Sequence, residues 1–238
     1  MVKDIKLLAF DLDGTLTQHK TQLEQKCRDL LNELSLKYRL LMVCAGGCER
    51  VYKQMNKFPI DIFGFYGMQF STIENGVFSL VSSDTKTANR ELALSAAKII
   101  RDQFGLNDYD GETLEFHDSG VITFPILGTA APLEKKLVYD PDRIKRRQMY
   151  NEVRKLFEEY NVFIGGSSSF DIVPKPYCKS YALDKYIKQH KINQEQVLYF
   201  GDDYGLGGND EDVYKSDVRF FVIDDYMEFT EKVRELVL

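Results

Sequence analysis

The sequence predicts an α/β fold in which a mostly parallel sheet carries an inserted α+β domain. Residues 7–10 and 197–200 are short, wholly apolar runs, which are typical of parallel strands covered on both faces. Up to residue 66, such runs alternate with amphipathic segments, as in strands joined by right-handed helical crossovers. The alternation stops near Ser82-Ser83-Asp84, where we place a domain junction and a helix cap.

The first core segment, residues 1–82, is predicted to begin with the strand at 7–10 and to end with a hairpin. The hairpin is indicated by alternating residues around Asn75-Gly76, a dipeptide that suits a tight turn. The predicted elements after the first strand are a helix over 22–36, a strand over 39–44, a helix over 49–56, a strand over 60–66 and the hairpin over 69–80.

The inserted domain is predicted over residues 83–176, because a hairpin, a helix and a strand follow one another without the parallel pattern. The periodicity of its first helix turns Leu92, Ala96, Ile99 and Ile100 inward. The predicted elements are a helix over 85–104, strands over 113–117 and 121–127, a loop containing Pro132, a helix over 141–160 and one or two strands over 163–174.

The second core segment, residues 177–238, is predicted to add an amphipathic helix that begins at Lys179. Two further strands, over 197–201 and 219–223, and a final helix complete the core. The inserted domain would then stand over the strand ends, where a cap can close on substrate and exclude water.

Acidic residues follow two of the predicted core strands. Asp11 and Asp13 come directly after the first strand, and Asp202 comes after the strand at 197–201. The carboxyl ends of parallel strands meet at one edge of the sheet, where ligands bind. Neighbouring carboxylates repel unless a cation shares them, and Mg²⁺ accepts carboxylates together with phosphate oxygens. Lys179 could neutralise a phosphoryl group there. Taken alone, the Asp11-x-Asp13 pair would also fit an acidic turn after a strand, and Lys179 would also fit a solvated lysine at a helix start.

Composition excludes several classes of protein. A net charge of −6 and a pI near 5.2 argue against a nucleic-acid binder, which would be basic. No apolar run approaches the length of a membrane span, and the N-terminal residues lead directly into the first strand without a signal peptide. The four cysteines show no metal-binding spacing, so we expect reduced thiols in a cytoplasmic protein. Nothing in the sequence specifies an oligomeric state.

These residues resemble the motifs of the haloacid dehalogenase (HAD) superfamily, phosphotransferases with an aspartate nucleophile and a Rossmann-like core. Within it, the chain is most similar to eukaryotic-type phosphomannomutases and their bacterial large-cap HAD-IIB relatives. The resembling stretches are Asp11-Leu-Asp13-Gly-Thr15, Ile73-Glu74-Asn75-Gly76, Gly165-Gly166 with Ser169-Phe170-Asp171-Ile-Val-Pro174, Lys179, and Gly201-Asp202-Asp203 with Gly207-Gly208-Asn209-Asp210.

The resemblance implies a role for each matching residue. Asp11 would attack a phosphate monoester to give an aspartyl-phosphate, and Asp13 would act as general acid and base. Lys179 would hold a phosphoryl oxygen. Mg²⁺ would be bound by the Asp11 carboxylate, the Asp13 backbone carbonyl and the Asp202 carboxylate. Asp203, Asn209 and Asp210 would orient metal-bound water or Lys179.

The chain departs from the family at the second motif, a Ser or Thr that donates a hydrogen bond to phosphate. Ala45 or Cys48 takes the place of that hydroxyl, and neither is a good donor. The backbone amides of Gly46 and Gly47 are therefore the predicted phosphate contacts in this loop. Cys48 fits equally well as a packing residue at the start of the next helix.

The inserted domain also departs from the family. Phosphomannomutases grip a second phosphate with arginines, whereas His117, Thr129 and Lys136 stand at the matching positions here. Lys136 is the predicted phosphate contact among them, and a lysine lacks the guanidinium fork. Ser169 and Asp171 match sugar-contacting positions. The basic residues at 143, 146 and 147 are typical of a solvated helix face.

Three functions are compatible with this pattern. A Mg²⁺-dependent phosphatase acting on a small phosphorylated metabolite, for example a sugar phosphate, ranks first because the second phosphate clamp is weakened. A phosphomutase ranks second, on the overall resemblance. A phosphate-ester binding protein without catalysis ranks third, because the motif-two hydroxyl is missing.

Overall fold

The computed structural model describes residues 4–237, so residues 1–3 and 238 of the two predicted core segments lie outside the described residues. The chain forms two compact units. The first contains the residues up to Ser83, Lys179–Gly205 and the residues from Asp210 onward; the second contains Asp84–Cys178 and Leu206–Asn209. Residues 206–209, which the sequence analysis assigned to the core, group instead with the second unit.

The first unit is built on a seven-stranded sheet whose first five strands are parallel and whose last two form an antiparallel hairpin. In sheet order, the strands are β11 (Arg219–Val222), β10 (Val197–Gly201), β1 (Leu7–Phe10), β2 (Arg39–Val43), β3 (Asp61–Gly64), β4 (Gln69–Glu74) and β5 (Val77–Ser83). The helices are α1 (Gln25–Ser35), α2 (Cys48–Gln54), α6 (Lys179–His190), α7 (Glu211–Tyr214) and α8 (Phe229–Val237). Three 3₁₀ turns cover Phe65–Gly67, Gln194–Gln196 and Tyr226–Glu228.

Strand β1 is apolar at every position because both faces of the sheet are covered. Alternate side chains of a strand point to opposite faces. Leu8 and Phe10 pack with residues of α1, α2 and α8, whereas Leu7 and Ala9 pack with residues of α6. Strand β1 is therefore held between two apolar layers, and its last residue, Phe10, directly precedes Asp11.

The second unit contains a four-stranded antiparallel sheet and three helices. Its apolar core lies between the sheet and two helices, α3 (Arg90–Phe104) and α5 (Ile144–Leu156). In sheet order, the strands are β6 (Glu115–Phe116), β7 (Ile122–Pro125), β9 (Ser169–Pro174) and β8 (Tyr160–Gly165); the helices are α3 (Arg90–Phe104), α4 (Leu133–Tyr139) and α5 (Ile144–Leu156).

Two elements of the second unit differ from the prediction. Helix α3 begins at Arg90 rather than near residue 85, because Asn89 caps it by accepting a hydrogen bond from the Leu92 N–H. Ser83 ends strand β5 and caps no helix, and Ile99 is exposed. Helix α4 occupies the segment after Pro132 that was predicted as a loop.

The main prediction about the fold is confirmed. A mainly parallel core sheet and a separate antiparallel sheet define the predicted α/β architecture with an α+β insertion. Among residues 4–237, no helix is both long enough and apolar enough to cross a membrane.

Candidate active site

The site is assembled where strands β1 and β10 end side by side. The two strands are parallel neighbours, paired from Leu7 with Val197 to Phe10 with Phe200. The Asp11 N–H continues this ladder by donating to the Phe200 carbonyl at 2.9 Å. Residues that follow the two strands are thereby brought to one edge of the sheet.

Lys179, the first residue of α6, lies wholly buried between two carboxylates. Its Nζ is 2.7 Å from Asp11 Oδ1 and 2.8 Å from Asp210 Oδ1. The Tyr199 hydroxyl donates to the same Asp210 oxygen at 2.7 Å. Burial alone would lower the pKa of Lys179, but Asp11 and Asp210 outweigh it and raise the pKa. The ammonium is therefore charged, and it is fixed against the predicted nucleophile.

Three carboxylates converge beside this lysine. Asp11, Asp202 and Asp210 each offer an oxygen, and these oxygens lie within 4.8 Å of one another. Burial raises the pKa of Asp11 well above its usual range; the charges of Asp210 and Asp202 raise it further, and Lys179 opposes them. A clustered set of oxygen donors with excess negative charge fits a hard divalent cation such as Mg²⁺.

Gly14 permits the close approach of Asp202. It has φ +104°, a left-handed conformation that favours glycine, and a Cβ at this position would lie 2.6 Å from Asp202 Oδ2. The neighbouring Thr15 hydroxyl donates to Asp202 Oδ1 at 3.3 Å. The Gly14-Thr15 pair that follows Asp13 thus positions the Asp202 carboxylate.

Asp13 is held by partners that the sequence analysis did not anticipate. Its carboxylate accepts from the Lys20 N–H at 2.8 Å, from Gln54 Nε2 at 2.7 Å and from Arg50 Nη2 at 3.3 Å. Burial alone would raise the pKa of Asp13, but Arg50 and the two hydrogen bonds outweigh it and lower the pKa. The lowered pKa favours the carboxylate form of Asp13, which is the form that accepts a proton. The only sequence signal for these partners was the i, i+4 spacing of Arg50 and Gln54 on a predicted helix.

The loop from β2 to α2 contains the predicted phosphate contacts Gly46 and Gly47. Gly47 is the residue before helix α2, and the Gly46 carbonyl accepts from the Phe65 N–H at 3.1 Å. Cys48 is buried, and its thiol donates to the Ile62 carbonyl at 3.3 Å. Of the two interpretations of Cys48, the structure supports core packing, and burial raises the pKa of its thiol.

The remaining predicted contacts lie in the second unit. Ser169 Oγ donates to the Gly165 carbonyl at 2.9 Å, and Asp171 Oδ1 accepts from the Thr123 hydroxyl at 3.4 Å. Lys136 Nζ donates to the Thr129 carbonyl at 3.0 Å. Ser169 and Asp171 are alternate residues of β9 and share one face of its sheet.

The basic run on α5 is not a uniformly solvated face. Arg146 is buried, and its Nε lies 2.9 Å from Asp140 Oδ2. Its Nη1 donates to the Gly165 carbonyl at 2.9 Å and to the Gly166 carbonyl at 3.0 Å. Arg146 thereby supports the turn between β8 and β9 that leads to Ser169.

Together, the sheet, the acidic strand ends and the buried lysine define a phosphoryl-transfer enzyme of the HAD superfamily. Residues 28–222 match the family described as "Eukaryotic phosphomannomutase", and the chain belongs to that family.

The relatives agree with this assignment. The chain is 27% identical to a phosphomannomutase of Encephalitozoon cuniculi, over 90% of this chain and 86% of the relative. Among solved structures, IMP-nucleotidase of Plasmodium falciparum in its IMP-bound form is similar with a TM-score of 0.71 at 14% identity, covering 98% of this chain and 68% of that one. A haloacid dehalogenase-like hydrolase from Bacteroides thetaiotaomicron has a TM-score of 0.54 at 16% identity, covering 98% and 99%. These two structural likenesses show the fold.

Proposed function

We propose that this protein is a Mg²⁺-dependent phosphomutase that acts on a sugar phosphate, through an aspartyl-phosphate on Asp11. The observation that carries the proposal is the contact of 2.7 Å between Lys179 Nζ and Asp11 Oδ1 beside two further carboxylates. A buried lysine at this place can balance the charge of a carboxylate that approaches an anionic phosphate.

In the proposed reaction, an Asp11 oxygen forms a bond to phosphorus as the ester P–O bond breaks. Asp13 gives a proton to the leaving alkoxide and later takes one from the hydroxyl that receives the phosphoryl group. Lys179 donates to a phosphoryl oxygen. Mg²⁺ held by the Asp11 and Asp202 carboxylates and the Asp13 carbonyl would supply positive charge between nucleophile and phosphate.

Family membership favours the mutase over the phosphatase that the sequence analysis ranked first. Residues 28–222 match the phosphomannomutase family, and the sequence relative reported above is named a phosphomannomutase. A mutase returns the phosphoryl group to a sugar before water reaches the aspartyl-phosphate. That requires a bound bisphosphate, and we assign Lys136, Ser169 and Asp171 to sugar-phosphate binding as part of this proposal.

A phosphatase is the second candidate, and one observation favours it. His117 and Thr129 stand where the family uses arginines, and Lys136 Nζ is hydrogen-bonded to the Thr129 carbonyl. A weaker anion clamp would retain the bisphosphate less well, and water would then compete for the aspartyl-phosphate.

The test is to incubate hexose 1-phosphates with the protein, Mg²⁺ and a hexose bisphosphate activator. The mutase predicts that hexose 6-phosphate forms faster than inorganic phosphate. Inorganic phosphate forming faster would establish the phosphatase instead. Asp11→Asn is the control that must abolish both products. Binding of the sugar phosphate without either product would support the non-catalytic alternative and refute transfer.

A further inference from the structure

The Arg50 side chain crosses the loop between β2 and α2 and reaches the predicted acid–base residue. Its Nη2 lies 3.3 Å from Asp13 Oδ2, and its Nη1 donates to Gln54 Oε1 at 2.6 Å. A Cβ on Gly46 would lie 2.0 Å from Arg50 Nη2, so the guanidinium rests directly against the glycine backbone. Gly46 is the residue that allows this approach.

This loop is where the family places its phosphate-binding hydroxyl. Ala45 has no side-chain donor, and the Cys48 thiol is buried against the Ile62 carbonyl. Cys44 is buried as well, and a thiol is a weak donor. A phosphoryl oxygen at this edge of the sheet therefore needs a different donor.

Arg50 has the chemistry and the accessibility for that task. Its side chain is 44% exposed, whereas Lys179 is wholly buried between Asp11 and Asp210. A guanidinium offers a planar fork of donors that matches phosphate, and it carries its charge at every physiological pH. The hydrogen bond to Gln54 holds the fork at the loop, and Gln54 also donates to Asp13.

We propose that Arg50 binds the transferring phosphoryl group, donating to its oxygens in place of the missing motif-two hydroxyl. The proposal rests on phosphoryl transfer at Asp11 as set out above. The same guanidinium contacts Asp13, so phosphate and the acid–base residue share one cation. Gly46 then serves to admit the guanidinium, and the backbone amides of Gly46 and Gly47 stay in their predicted role as phosphate contacts.

The experiment measures binding of inorganic phosphate to the Mg²⁺-loaded protein by titration calorimetry. Arg50→Met should weaken binding by about 10- to 100-fold, the loss expected for a hydrogen bond to a charged group. Arg50→Lys keeps the charge and loses the fork, so its phosphate affinity should lie between those of Arg50→Met and the wild type. Lys53→Met is the matched control, because Lys53 is an exposed cation of the same helix that pairs with Glu49; it should bind as the wild type does.

Kinetics separate binding from a merely structural role. If Arg50 only steadied Asp13, Arg50→Met would lower kcat and leave the phosphate affinity unchanged, and that result would overturn the proposal. If Arg50→Met binds phosphate as tightly as the wild type does, and the wild type still turns over sugar phosphates, the proposed role of Arg50 is refuted. The proposed function is then unaffected. A wild type that neither binds phosphate nor transfers it would overturn both this proposal and the proposed function.

Discussion

Lys179 Nζ lies 2.7 Å from Asp11 Oδ1, in a position from which solvent is excluded. Lys179 is the first residue of helix α6, and Asp11 directly follows strand β1. The ion pair is maintained because the buried Asp11 carboxylate would otherwise lack a counter-charge. The contact therefore ties the Asp11 carboxylate to the second core segment of the chain.

Removing the lysine should destabilise the core. Lys179→Met leaves Asp11 and Asp210 buried side by side without their counter-charge, and breaking a buried pair costs about 3–5 kcal/mol. Urea unfolding in the absence of divalent cations measures the change. The double variant Lys179→Met/Asp210→Asn should lose less than the sum of its single changes, because it also removes one orphaned carboxylate. If the losses in unfolding free energy of the two single variants add up in the double variant, the two residues are not coupled.

Mg²⁺ should stabilise the protein through the Asp11 and Asp202 carboxylates and the Asp13 carbonyl. A ligand at about one hundred times its Kd adds about 2.7 kcal/mol to the free energy of unfolding. Thermal unfolding with and without Mg²⁺ should show this shift in the wild type and lose it in Asp202→Asn. Asp29→Asn removes an exposed carboxylate of α1 and should keep the shift. A shift of wild-type size in Asp202→Asn would place the cation elsewhere.

Loss of the acid–base residue should slow turnover without unfolding the protein. Asp13→Asn keeps an oxygen that can accept from Gln54 and from the Lys20 N–H, so its thermal stability should stay close to that of the wild type. Its kcat should fall by about 10²- to 10⁴-fold, the usual contribution of a general acid–base group. A decrease in kcat of less than tenfold would show that Asp13 takes no part in the proton-transfer steps.

The Asp140–Arg146 pair should make stability depend on pH. Burial alone would raise the pKa of Asp140, but hydrogen bonds from Arg146 and the Lys145 N–H outweigh it and lower the pKa. A carboxyl group with a lowered folded-state pKa adds stability above its unfolded pKa of about 3.9 and loses it as the pH falls through the folded value.

Asp140→Asn should therefore be less stable than the wild type at about pH 6, and the difference should narrow only below about pH 4. Urea unfolding across this range measures it. Asp142→Asn, which changes an exposed neighbour, serves as the charge-matched control. A difference that stays constant down to about pH 2.5 would contradict the assignment of the shift to Asp140.

The parts of the fold that sequence could predict depend on local pattern. The apolar run before Asp11 and the Asn75-Gly76 turn are such cases: Asn75 and Gly76 both have positive φ, as the hairpin requires. Helix α4 was missed because Pro132 was interpreted as a loop residue. Proline is tolerated where a helix begins, since its missing N–H has no acceptor there.

The contacts that were missed are tertiary. Arg50 reaches Asp13 across 37 positions of sequence, and no local pattern indicates that pairing. The sequence pattern places Arg146 on a solvated basic helix face. Its partners, the Gly165 and Gly166 carbonyls, lie on a different element, so the local pattern does not indicate its burial. By contrast, the proximity of Asp11 and Asp202 can be predicted from the sequence, because parallel strands end at a common edge of the sheet.

The most direct test of the central claim is detection of the covalent intermediate. The protein is mixed with Mg²⁺ and a hexose bisphosphate, quenched in acid and digested, and its peptides are analysed by mass spectrometry before and after borohydride reduction. We expect a phosphoryl group on the peptide that contains Asp11, conversion of Asp11 to homoserine on reduction, and neither product in Asp11→Asn. Turnover by the wild type with the phosphoryl group on another residue, or sustained turnover by Asp11→Asn, would contradict the account.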